Sequence, residues 1–380
     1  MLALPLATAA LGTAPTIITM LLLYGLAIYS SLLMLEVNLR SGVGDNLHII
    51  TGKILGRRGQ VIQGLAFLSL LYAVIVVYQL GGSSLLTARL ERLDIQISDA
   101  SAIAIFTLIF GSFIGFGLKW VDKASRFLFT TLVGLFFVVV FSLIPEVRIV
   151  NLSRMVPMDT PEIPAFDYFL LAIPTVFSSF SAHMCIASVV RYLGDDSRLL
   201  KRVLIAGITI PLVCYTVWLS VTIGSIGVDG VIQSQGDLSV MVSLLQQATG
   251  SRYLGEAIDL FANFALITSF LGVSMSLFDY LMELTRAKRT PMGRLMIWML
   301  TFIPPFMIAL IDPGAFMLVL GLASIPLVVI ILFMPALMAY KQRKLNLGGY
   351  QVAGGTPALI IASTLGLLII TAQVCMSMGW

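Results

Sequence analysis

Charge is scarce in this chain. Asp, Glu, Lys and Arg together make up 11% of 380 residues, against 58% hydrophobic residues, and the mean hydropathy is +1.00. So little polar surface cannot cover a water-soluble globule of this size, which leaves a lipid bilayer as the solvent. Cysteine and histidine are scarcer still, at three and two. Cys185, Cys214 and Cys375 all fall in apolar runs, where they act as small core residues and not as a disulfide or metal set. The chain has no G-x-x-x-x-G-K-[ST] to cradle the phosphates of ATP and no H-E-x-x-H to hold a catalytic zinc. GVGD at 42–45 matches a short pattern of intramembrane aspartyl proteases, but Asp45 lies in a basic loop and reads as part of a turn. No catalytic set survives this scan, so an enzyme is not expected.

What the chain does have is long apolar runs. A spanning helix needs about 20 apolar residues. Runs at 16–39, 61–88, 100–118, 127–145, 165–190, 203–228, 254–281, 295–311, 314–340 and 357–378 give ten full spans. MLALPLATAALG, residues 1–12, is too short to cross and predicts half a helix. A secretory signal peptide is the rival reading, but no basic segment precedes the apolar one and the first charge is Glu36. Alternate loops hold 18 of the 23 basic residues, which places those loops in the cytoplasm and the C-terminal Trp380 outside. This topology accounts for the net charge of +4, so the charge is no sign of nucleic-acid binding.

Polarity gathers inside one span. AIPTVFSSFSAH, residues 172–183, carries a proline, three serines and a histidine. Pro174 removes a backbone donor, and the serine hydroxyls can satisfy backbone groups freed by a break. Taken alone, this suits an interrupted helix or a kinked continuous one equally. The proline-bearing half-helix at the start of the chain lies five spans earlier. Two interrupted helices at matching positions predict a five-plus-five inverted repeat, with repeat one at 1–145, repeat two at 165–340 and an extra helix at 357–378. Exposed half-helix ends at the midplane suit a zwitterionic amino acid, carboxylate at an N-terminus and ammonium at free carbonyls. Ionisable groups inside a membrane are costly, which singles out Glu36, His183, Asp259 and Asp279. Tyr72, Val76 and Gln79 share one helical face, with Tyr78 nearby.

MLALPLATA, MLEVN at 34–38, AIPTVFSSFSAH, ITSFLGVSMSLFDYL at 267–281, FIPP at 302–305 and the GGY…GG loop at 348–355 resemble the hydroxy/aromatic amino acid permease family of the amino acid/polyamine/organocation superfamily. The resemblance runs over essentially the whole chain. It implies an all-α polytopic membrane protein of the leucine-transporter (LeuT) type, one transmembrane domain of a five-plus-five repeat with an added C-terminal helix. It also implies a proton-coupled symporter without a cofactor, importing aromatic amino acids, tyrosine first, across the cytoplasmic membrane of a bacterium by alternating access. A tryptophan-preferring or broader neutral amino acid permease is the alternative. The family pattern puts a glycine-rich half-helix ahead of the MLALP-like motif, and this sequence begins without it, so the first helix is expected to be truncated.

Residue by residue, the resemblance places substrate contacts at Met1, Leu2 and Ala3 and at Phe177, Ser178, Ser179, Phe180 and Ser181. Tyr72 and Gln79 of the third span flank the substrate, and Phe177, Phe180 and Tyr72 would line an aromatic slot. Ser178, Ser181, Asn263 and Gln79 are available to bond a substrate phenol. Thr268 and Ser269 match the hydroxyl pair that binds sodium in sodium-coupled relatives and would be a remnant in a proton-coupled one. His183, Glu36 and Asp279 are the candidates for carrying the proton, because the fifth span, FLFTTLVGLFFVVVFSLIP, has no lysine.

Overall fold

A computed structural model describes residues 1–43, 45–116, 118–153, 165–288, 290–345 and 348–378. All regular structure among them is helical. In chain order the α-helices are α1 (Ala3–Thr8), α2 (Thr13–Ser41), α3 (Leu47–Glu91), α4 (Asp99–Phe116), α5 (Leu118–Leu143), α6 (Ile149–Ser153), α7 (Ala165–Ser178) and α8 (Ile186–Leu193). The second half runs α9 (Ser197–Gln233), α10 (Leu238–Ala248), α11 (Arg252–Thr285), α12 (Pro291–Ile311), α13 (Phe316–Leu322), α14 (Ser324–Val328), α15 (Met334–Lys344) and α16 (Gly355–Ser377).

Among the described residues, eight helical stretches are long and apolar enough to cross a bilayer: α2, α3, α5, α9, α11, α12, the run from α13 to α15, and α16. They correspond to eight of the ten expected spans, and the chain is a polytopic membrane protein. The other two take a different form. Helix α4 is 18 residues long, and the span expected at 165–190 is divided between α7 and α8.

Local chemistry explains the joints. Gly12 (φ +80°) adopts a conformation costly for other residues, and it turns the short α1 into α2. A second glycine, Gly56 (φ +73°), splits the amphipathic start of α3 from its membrane-spanning part. The side chain of Asn46 accepts from Ile49 N at the head of α3, and Asp237 accepts from Ser239 N at the head of α10. Helix α10 lies in what the hydropathy pattern treats as a connection. Its buried Leu238, Met241, Val242 and Leu245 recur at helical spacing and seat it on the interior.

Helix α1 is wedged between two core regions. Leu4 packs with α2, α7, α9 and α14 through Met20, Phe177, Leu219 and Leu327. Leu2 packs with α3, α9, α10 and α11 through Val77, Trp218, Met241 and Phe261. The half-helix at the chain start is therefore interior structure, against which the broken helix α7 packs directly.

Candidate functional site

The break between α7 and α8 is built from the residues that the sequence singles out. Helix α7 contains Pro174 and ends at Ser178. In a continuing helix Ser179 N would bond Thr175 O; here it bonds Val176 O at 3.2 Å, and Phe180 N bonds Phe177 O at 3.1 Å. The freed Thr175 carbonyl is taken by two hydroxyls, Ser178 Oγ at 2.9 Å and Ser179 Oγ at 3.0 Å. Ser179 O in turn accepts from the Tyr215 hydroxyl of α9 at 3.0 Å. Ser181 leaves helical geometry, a 3-10 turn spans Ala182–Cys185, and α8 begins at Ile186.

This break faces a cavity of about 580 Å³. Its polar wall includes Thr175, Ser178, Ser179 and Ser181 from the broken segment, Tyr215 from α9 and Ser269 from α11. Its apolar wall is drawn from α3, α11, α13 and α14, including Phe67, Leu71, Val74, Leu266, Phe316 and Leu327. Met1, Leu2 and Ala3 close one side. The volume falls in the range of small-molecule sites, and a mostly apolar surface with one polar edge suits a ligand with an apolar body and a zwitterionic end.

Met1, Leu2, Ala3, Ser178, Ser179, Ser181 and Ser269 thus come together around one cavity. Other expected residues lie outside its lining. Phe177 is fully buried in the core around α1 and α2. Phe180 is buried behind the lining, its ring edge-on to Tyr24 at 6.3 Å and to the cavity residue Tyr215 at 5.7 Å. Tyr72 faces α12 and donates to Leu300 O at 2.7 Å, and Gln79 donates to Thr107 Oγ1 of α4 at 3.0 Å. Asn263 bonds its own helix at Asp259 O, 2.9 Å away. The Thr268 hydroxyl is likewise spent on Phe264 O at 2.8 Å.

The aromatic residues that do line the cavity are Phe67, Tyr78, Tyr215 and Phe316. Tyr78 stands beside Ser269 of α11. The sequence places Tyr78 next to the face of Tyr72 and Gln79, but spacing alone does not say which face meets the cavity. Phe67, Tyr215 and Phe316 carry no motif and are found only through packing.

The four intramembrane ionisable groups have different surroundings. Glu36 is fully buried. Its oxygens accept from Arg343 Nε at 2.8 Å and Nη2 at 2.7 Å and from the amide of Val352 at 2.8 Å, with Arg40 at 3.5 Å. Arg40 Nε also donates to Tyr350 O at 3.0 Å, so the loop after α15 is tied to α2. Burial, with the Glu36 charge adding to it, pushes the Tyr350 phenol up to about 12, which keeps it neutral beside this cluster. Asp259 is buried and paired with Arg89 at 2.7 Å and Arg92 at 3.5 Å. Asp279 is exposed. His183 is buried in the 3-10 turn, with Nε2 2.7 Å from Ser30 Oγ and 3.1 Å from Ser31 Oγ of α2. Among the described residues its Nδ1 has no partner.

Known proteins point the same way. The tyrosine-specific transport system 2 of Haemophilus influenzae is 33% identical over 386 residues, covering 100% of this chain and 93% of that protein. A tryptophan-specific transport protein of Pseudomonas aeruginosa is 28% identical, with 100% and 92% covered. A glutamine transporter 2 of Aliivibrio fischeri is 28% identical, with 98% and 95% covered. The tryptophan/tyrosine permease family matches residues 1–373. A broken helix bordering an amphipathic cavity inside a polytopic bundle is what a permease requires, and this chain belongs to the tryptophan/tyrosine permease family.

Proposed function

We propose that this protein is a proton-coupled symporter that imports aromatic amino acids, tyrosine first, across the cytoplasmic membrane of a bacterium. The observation that carries this reading is the cavity between α1, α3, α7, α11 and α13, with hydroxyls and a broken helix at one wall and aliphatic and aromatic side chains at the other. The substrate's ammonium and carboxylate sit at the break and at Met1, Leu2 and Ala3. Its ring lies against Phe316, Phe67 and Val74, where offset or edge-on aromatic contacts add about 0.5–1.5 kcal/mol beyond burial. Phe177, Phe180, Tyr72, Gln79 and Asn263 then support the helices that frame the site.

The tyrosine and tryptophan transport proteins among the relatives support the aromatic assignment. The fold we propose is a five-plus-five repeat over 1–145 and 165–340 with α16 peripheral, and with the basic loops in the cytoplasm. The breaks at both ends of the α1 to α8 stretch are what that arrangement needs. Thr268 and Ser269 are the remnant of an ion site in this reading, since Thr268 spends its hydroxyl within its own helix. A broader neutral amino acid permease is the second reading, favoured by the glutamine transporter among the relatives.

Uptake of labelled tyrosine into proteoliposomes, competed by tryptophan, phenylalanine, glutamine and serine, decides between the two. Aromatic competitors should block and serine and glutamine should not. A site that bonds the phenol should also separate tyrosine from phenylalanine by about tenfold, because a buried polar partner left unpaired costs roughly 1–3 kcal/mol. Equal competition by all four overturns the aromatic assignment.

A further inference from the structure

We propose that Nδ1 of His183 is the site that carries the co-transported proton, an assignment that rests on the proton-coupled reading above. Three groups of the chain are candidates by cost of burial, and their surroundings separate them. Glu36 is held by a two-pronged Arg343, by Arg40 and by a backbone amide, so both of its oxygens are already engaged. Asp279 is exposed, so burial does not single it out. His183 is buried, lies two residues after the cavity-lining Ser181, and among the described residues keeps one ring nitrogen without a partner.

The hydrogen bonds say which nitrogen is open. Ser30 Oγ donates within α2 to Ala27 O at 3.2 Å. That leaves a lone pair for Nε2, 2.7 Å away, and in the proposed state Nε2 carries the hydrogen and donates to it. Ser31 Oγ lies 3.1 Å from the same nitrogen. In that tautomer Nδ1 is a lone pair, the basic position of a neutral imidazole, and it has no partner among the described residues. Proton uptake is then a simple exchange: a hydronium gives its proton to Nδ1 and leaves as water, and the reverse step releases it on the other side.

The position of the ring links the proton to the substrate. The 3-10 turn that bears His183 packs against α2 and α8. The titratable groups on those elements are Tyr24, Tyr29, Glu36 and Arg40 on α2 and Arg191 and Tyr192 on α8. Glu36 and Arg40 are engaged with each other and with Arg343 and the loop at 350–352. The negative charge that the site can gain is the carboxylate of an amino acid seated at Ser178–Ser181. Substrate and proton then strengthen each other's binding by the same factor, as linkage requires.

The test uses purified full-length protein in proteoliposomes and measures two things with labelled tyrosine: accumulation driven by an inwardly directed proton gradient, and counterflow without a gradient. For His183→Gln, accumulation is expected to fall to the equilibrium level, at least tenfold below wild type, while counterflow stays within about threefold and loses its pH dependence. Ser30→Ala should keep both activities and shift the pH profile of uptake. Gradient-driven accumulation by His183→Gln with the wild-type pH profile would overturn the assignment. So would equal loss of both activities in a monodisperse His183→Gln protein, which marks a purely structural role. Wild-type counterflow without gradient-driven accumulation would overturn proton coupling, and absence of both from wild type would overturn the proposed function itself.

Discussion

Two polar regions inside the bundle are satisfied to very different degrees. Around Glu36 each buried charge meets a matching donor or acceptor, drawn from α2, α15 and the loop at 350–355. Around the α7–α8 break the polar groups are under-supplied: serine hydroxyls border an open cavity, a carbonyl is held by a single tyrosine, and His183 Nδ1 has no partner among the described residues. The difference separates architecture from function. A charge buried in apolar surroundings survives only if it is paired, and the pairing then fixes the elements that supply it. Polar groups with spare capacity are costly in the empty protein and gain partners when a ligand arrives.

The largest effect should come from breaking the satisfied region. Glu36→Gln leaves the largely buried Arg343 without its counter-charge, a change that costs about 3–5 kcal/mol when a buried pair loses one member. The variant should show a markedly lower unfolding temperature in detergent, and the fraction that remains folded should bind tyrosine normally. Unchanged thermal stability would mean that the cluster is not a clasp. A smaller effect is expected at the under-supplied region. Tyr215→Phe removes the hydrogen bond to Ser179 O, worth about 1 kcal/mol, and should weaken tyrosine binding about fivefold with little change in unfolding temperature. A Tyr215→Phe protein that loses stability but not affinity would reverse the contrast.

Much of this contrast can be read in the sequence, and its gaps are physical. The broken helix is legible because Pro174 and the serines at 178, 179 and 181 supply both a cause of disruption and a means of satisfying it. The short helix α1 is legible from the length of its apolar run. Burial of Glu36 follows from its place in an apolar run, but its partner does not, since Arg343 is 307 residues away and no local spacing links them. Phe177 and Phe180 flank the serines in sequence, yet at the break the serines face the cavity while the two rings face the core around α2 and α9. Direction at an irregular segment depends on φ and ψ at each residue, which residue types do not fix. Tyr72 and Gln79 fail as cavity residues for a related reason: helical periodicity groups them on one face without naming the neighbour, and their neighbours are α12 and α4. Helix α10 is missed because its 11 residues are too few to register against a spanning length.

The account stands on the cavity beside the break being the amino acid site. The direct test is equilibrium binding of labelled tyrosine to purified protein with the cavity filled by a bulky ring, Val74→Trp, compared with Leu365→Trp on the exposed face of α16. Val74→Trp should lower affinity at least tenfold in a protein that remains monodisperse, and Leu365→Trp should bind as wild type does. Wild-type affinity in Val74→Trp would place the substrate elsewhere in the molecule.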